Sequence, residues 1–223
     1  MDEYGRTIRR LASWPGSDAS QSINRRSDQM EYFTVSRSLA TLALFCSLCC
    51  VQPFQITVFQ PHLTTLTPSK ATQLELLDQA AASAARAGSN VLVVPELYLT
   101  GYNINAAFGA EVRGGPSYAA AQASAVSNNV SILFTYPEKD PVTGKLHDSA
   151  ALLSRNGSSL ADYRKVNLAS GESIFLTAGE AFAPVVELDG VRVGVLICFD
   201  VFLPEPSRLL ALQVVITLQP SSK

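Results

Sequence analysis

The sequence predicts an α/β fold with mixed sheets, and three observations carry that expectation. Residues 55–94 read strand, helix, strand, with QITVF (55–59) and VLVV (91–94) flanking one amphipathic helix. Two strong hairpin dipeptides, Asn156-Gly157 and Asp189-Gly190, each separate a pair of strand-like runs. Many of the strands are near-continuously apolar, as in sheets covered on both faces.

Taken in order, Ser69 is placed to cap a helix over 70–87 whose Leu74, Leu77, Ala81 and Ala84 share one face and which Gly88 ends. A strand, a helix and a strand in succession make a βαβ unit, so the first two strands should lie parallel. An irregular loop at 103–115 precedes an alanine-rich helix at 116–127 and the buried strand VSILFT (130–135). LHDSAALLS (146–154) and SLADYR (159–164) form one hairpin, VVEL and VRVGVLI the next. Pro204 opens a helix to about 213, and VVITL (214–218) is the last strand.

The chain changes character near Pro53. Residues 1–53 read as an irregular extension, polar over 1–38 and then apolar over 39–51, a stretch too short to span a bilayer as a helix. Arg37 before that stretch leaves open a secretory signal starting at Met30; otherwise the reading is cytoplasmic. Residues 54–223 read as one domain. At 223 residues with 47% hydrophobic and 16% charged content, the chain has the material for a packed core. A net charge of −2 with no basic stripe excludes nucleic acid as a natural partner. Only two histidines exist, so a Ser–His–Asp triad or a histidine-rich metal site has little to draw on. Cys46 and Cys49 form a C-x-x-C without a second ligand pair. Neither a glycine-rich phosphate loop nor an internal repeat is visible.

Three residues leave apolar strands carrying reactive groups: Glu96 after VLVVP, Lys165 after ADYR, and Cys198 at the end of GVRVGVLIC. A free thiol with a pKa of about 8.5 is mostly protonated at neutral pH and needs a base. Glu96 is suited to that role if burial keeps its carboxylate basic. Attack on a carbonyl or nitrile carbon builds negative charge, which Lys165 and the backbone N–H of Phe199 can stabilise. Spacing alone does not bring the three together, and a strand-end cysteine is by itself compatible with a core position.

The blocks VLVVPELYLTGYNI (91–104), DYRKVNL (162–168) and GVLICFDVFLPEPSR (194–208) closely resemble the three signature blocks of the nitrilase (carbon–nitrogen hydrolase) superfamily, in the same order. The resemblance implies an α-β-β-α sandwich with Glu96 as general base, Lys165 stabilising the tetrahedral intermediate and Cys198 as nucleophile. It also makes Glu172, in Gly171-Glu172-Ser173, a candidate for orienting Lys165. Glu138, in Tyr136-Pro137-Glu138, is expected to be structural, and Arg208 to pin its helix by ion pairing.

The implied reaction is hydrolysis of a small linear amide to a carboxylic acid and ammonia through a cysteine thioester, with the short aliphatic or ω-amino amidases the most similar group. No cofactor or metal is implied, and a homodimer is the implied assembly. The family continues beyond the strand at 214–218, so the chain reads as C-terminally truncated and its isolated form as aggregation-prone. The competing expectation is an inactive nitrilase-like fragment acting at most as a subunit-binding module.

Overall fold

The computed structural model describes residues 30–35, 53–61, 69–101, 109–182, 185–213 and 216–218. The apolar stretch at 39–51, with Cys46, Cys49 and Cys50, lies outside the described residues. Nine strands and three α-helices are seen among those described. They are β1 (Met30–Val35), β2 (Ile56–Pro61), α1 (Lys70–Arg86), β3 (Val91–Val93), α2 (Pro116–Asn128), β4 (Ser131–Lys139), β5 (Leu146–Leu153), β6 (Ser159–Arg164), β7 (Val186–Leu188), β8 (Val191–Val195), α3 (Pro204–Ala211) and β9 (Ile216–Leu218).

The expected βαβ unit is present. Ile56 pairs with Val91 in a parallel register, and β3 in turn pairs parallel with β4. Ser69 caps α1 by accepting from the Thr72 N–H at 3.1 Å. The other end closes at Gly88, whose φ of 76° suits a residue without Cβ. Asn156-Gly157 and Asp189-Gly190 turn antiparallel hairpins β5–β6 and β7–β8, and both central residues of the second turn have positive φ.

Six strands form one sheet in the order β1-β2-β3-β4-β5-β6, and three form a second, β7-β8-β9. Alternation along the strands builds two cores, one on each face of the larger sheet. Leu92, Phe134 and Ala151 pack with Leu77 and Ala81 of α1 and Tyr118 and Ala121 of α2. Val91, Val93, Leu133 and Leu152 point the other way, against Leu188, Val193, Val195 and Ile197 of the second sheet. On the outer face of that sheet Leu210 of α3 covers Gly194, where a Cβ would meet its side chain at 3.0 Å. The layers are therefore α-β-β-α.

Three local expectations change. Met30–Val35, within the stretch read as irregular, forms an edge strand antiparallel to β2. Its MEYFTV composition is rich in β-formers, a signal outweighed by the polar residues around it. β4 runs four residues beyond the VSILFT run, through Pro137 to Lys139. Proline is tolerated there because β3 pairs only with Ser131–Leu133, and on that flank the Pro137 carbonyl instead accepts from the Glu111 N–H at 3.1 Å. The helix opened by Pro204 ends at Ala211.

Candidate active site

The two sheets present the carboxyl ends of β3 and β8 to one another, and reactive groups in open α/β sheets gather at such ends. Glu96 sits three residues beyond β3, Lys165 directly beyond β6, and Cys198 three residues beyond β8. Leu97 and Cys198 both hold the left-handed conformation, at φ 48° and 42°. That region costs an ordinary side chain of order 1–3 kcal/mol and is kept only where surrounding contacts enforce it.

Those contacts are visible. The Thr135 hydroxyl of β4 donates to the Pro95 carbonyl and accepts from the Tyr98 N–H at 3.1 Å, clamping both sides of Glu96. Asp200 does the same for Cys198. Its fully buried carboxylate accepts from the Ile197 N–H at 3.0 Å, the Tyr163 hydroxyl at 2.7 Å, and the Asn167 N–H and Nδ2 at 2.9 and 3.0 Å. The turn carrying the thiol is thus tied to the end of β6 that carries Lys165.

The Lys165 ammonium is completely buried and donates to Glu96 Oε1 at 2.6 Å and to Glu172 Oε1 at 2.9 Å. Glu172 is held in turn by the Ala169 N–H, 2.7 Å from its other oxygen. Asp148 of β5 adds a third carboxyl, with Oδ2 3.7 Å from Lys165 Nζ. Burial opposes the Lys165 charge, but the surrounding carboxyl groups outweigh it and hold the ammonium above its ordinary range. Burial, then the nearby Glu96 charge, push the Cys198 thiol up to about 11. Cys198 is thereby held as a neutral thiol beside the Glu96 side chain.

The structure therefore gathers Glu96, Lys165, Glu172 and Cys198 in one place. Phe199 follows the thiol in the first turn of a 3₁₀ segment, Cys198–Phe202, where backbone N–H groups lack partners within the segment. Glu138 stands apart, bonded to Arg164 at 2.5 Å and to the Ser149 hydroxyl at 2.8 Å beside a polar cleft of about 690 Å³. Arg208 is exposed and makes no ion pair among the described residues, contrary to expectation. Glu205 and Arg208 lie on the exposed side of α3, opposite the buried Pro206 and Leu210, where water competes for both charges.

Asp148, Thr135 and Asp200 were not singled out from the sequence. A signal existed for Asp148: with period two it shares a face with Ala150 and Leu152, so its carboxylate had to be buried.

A thiol, a carboxylate and an ammonium between two packed sheets are the equipment of a hydrolase that works through a covalent cysteine intermediate. The chain belongs to the carbon–nitrogen hydrolase family, whose model matches residues 54–217. It is 40% identical over 146 residues to a hydrolase encoded in the pqqF 5′ region of Pseudomonas protegens, covering 64% of this chain and 50% of that protein. An (R)-stereoselective amidase of Pseudomonas sp. is 34% identical over 125 residues, covering 55% of this chain and 44% of the amidase. Among solved structures, an amidase from Nesterenkonia sp. superposes with a TM-score of 0.67 at 26% identity, covering 75% of this chain and 64% of that one. In a structure of a glutamate-to-glutamine mutant of the amidase from Nesterenkonia sp. AN1, 25% identical with a TM-score of 0.67 and covering 75% of this chain and 66% of that one, acrylamide has added to the active-site cysteine. The chain spans about half the length of the curated relatives it matches.

Proposed function

We propose that this chain carries the catalytic site of an amidase acting on small linear amides. Cys198 attacks the amide carbon as Glu96 takes the thiol proton. The tetrahedral oxyanion is met by Lys165 and the Phe199 N–H, and collapse expels ammonia carrying the proton from Glu96. The resulting thioester is attacked by water, with Glu96 again the base, releasing the carboxylic acid and restoring the thiol. Each cycle consumes one amide and one water and yields one acid and one ammonia.

The observation that carries this reading is the 2.6 Å contact between Lys165 and Glu96, both buried, beside a thiol held neutral. A fixed ammonium next to a fixed base, away from water, is suited to charge that develops only in the transition state. The Nesterenkonia amidase, which has been seen with butyramide, supports short aliphatic amides as the substrate class. A homodimer is the assembly that goes with this reading.

The test is ammonia release from a series of short aliphatic amides, with the acyl adduct on Cys198 captured by mass spectrometry. Amide turnover with a mass shift on the peptide containing Cys198 is expected. Turnover that survives Cys198→Ala overturns the mechanism. Absence of turnover from a folded, monodisperse protein favours the inactive subunit-binding module.

A further inference from the structure

Three carboxyl groups, those of Glu96, Asp148 and Glu172, converge on the single ammonium of Lys165, and no residue of the four is more than 2% exposed. Fully ionised, the group would hold two uncompensated negative charges away from water, an arrangement that proteins avoid by binding protons. The hydrogen bonds identify where a proton sits. Glu96 and Glu172 each accept from Lys165, and Glu172 accepts from Ala169 as well. Neither oxygen of Asp148 receives a hydrogen bond from a donor among the described residues. Lys165 Nζ, at 3.7 Å, is beyond hydrogen-bond reach, and the near neighbour of Asp148 is the carboxyl of Glu96.

We propose that Asp148 is a neutral carboxylic acid in the resting site and a positioning residue for Glu96, donating its O–H to the Glu96 carboxylate. The inference rests on the amidase reading for its consequence in catalysis, though not for its protonation state. An ionised Asp148 would set a second carboxylate beside that of Glu96, with no hydrogen bond to its own oxygens among the described residues and Lys165 3.7 Å away. A neutral one turns that repulsion into an O–H donor, while Glu96 and Glu172 still accept from Lys165. Burial, followed by the Glu96 charge, pushes the Asp148 carboxyl well above the usual carboxylate range, which agrees with this assignment. The backbone holds Asp148 beside Lys165, because the Asp148 carbonyl accepts from the Lys165 N–H at 2.8 Å. The groups facing Asp148 are Glu96 beyond β3, Lys165 and Tyr163 at the end of β6, and Glu172, with Cys198 beyond Glu96 and His147 adjacent on its own strand.

The proposal distinguishes two substitutions. Asp148→Asn replaces an O–H donor by an N–H donor of nearly the same shape and should retain activity within about threefold, with the acid limb of the kcat/KM profile in place. Asp148→Ala removes the donor and should lower kcat about 10- to 100-fold with KM little changed, since Glu96 loses the hydrogen bond that positions it. Were Asp148 ionised, Asp148→Asn would remove a neighbouring negative charge and move the acid limb downward instead.

Difference infrared spectroscopy at neutral pH reads the proton directly and does not require turnover. A carbonyl stretch of a neutral carboxylic acid should disappear in Asp148→Asn and persist in Cys198→Ala. Loss of that band together with an active Asn variant supports the proposal. A band that Asp148→Asn leaves unchanged overturns it, as does a displaced acid limb in that variant or a wild-type rate in a folded Asp148→Ala. If the Ala variant does not fold, the Asn variant and the infrared band decide. If the protein hydrolyses no amide, the band alone decides the protonation state, and failure of the amidase reading is seen separately.

Discussion

Replacing Asp200 by Asn changes one oxygen for an NH₂ group in a buried carboxylate that four donors approach. In one orientation the NH₂ faces the backbone N–H and the side-chain amide of Asn167, and the amide can flip to accept. In the other it faces the Tyr163 hydroxyl, which can turn and accept, and the Ile197 N–H. A backbone N–H cannot accept. Either orientation therefore leaves one buried backbone donor, of Asn167 or of Ile197, without a partner. Such a donor costs about 1–3 kcal/mol, so the expected destabilisation is about 2 kcal/mol. In a chain of this length that lowers the Tm by about 4–8 °C. Urea titration checks the magnitude, with an unchanged m-value showing that the folded and unfolded states are otherwise comparable. Ile197 immediately precedes Cys198, the proposed nucleophile, so kcat should fall as well. A loss below about 0.5 kcal/mol would refute the idea that Asp200 holds the left-handed turn at Cys198.

Glu96→Gln and Lys165→Ala should each lower kcat by at least about 10²-fold, and their double variant should lose much less than the product, because the two groups act on one transition state; steady-state kinetics on a short amide reads this. Alkylation of Cys198 by iodoacetamide should keep accelerating towards pH 11, since its thiol is pushed up to about that value, whereas a plateau near pH 8.5 would mean an unperturbed thiol. Gly179→Ala should reduce both stability and kcat, because its Cβ would collide with the Arg164 carbonyl while the Gly179 N–H binds the Lys165 carbonyl at 2.8 Å; a thermal melt and a rate measurement suffice. Burial opposes the Glu138 charge, yet Arg164, Ser149 and Arg113 outweigh it and lower its folded pKa. A lowered folded pKa gives stability that is present above the unfolded value, about 4.3, and is lost as pH falls through the folded one. Glu138→Gln should therefore be less stable at neutral pH and lose less on acidification below about pH 4, as denaturant melts at several pH values would show.

Much about this protein follows from local physics written into the chain. The β-branched apolar runs QITVF and VLVV, the Ser69 cap and the two turn dipeptides specify their elements because each is decided within a few residues by sterics and nearby hydrogen bonds. Glu96, Lys165 and Cys198 stood out differently, each leaving a strand end but singled out as a set by the resemblance of three blocks to the nitrilase superfamily. Tertiary structure alone decided what those residues touch. Met30–Val35 became a strand because β2 offered it an edge, and Arg208 has no ion pair among the described residues because it lies on the exposed side of α3. Asp148, Thr135 and Asp200 entered the site from β5, β4 and the turn after Cys198, through contacts between residues 37 to 52 positions apart or by folding back on the adjacent turn. Hydrogen bonds and charges act through space over a few ångströms, so their partners are set only when the two sheets close on one another.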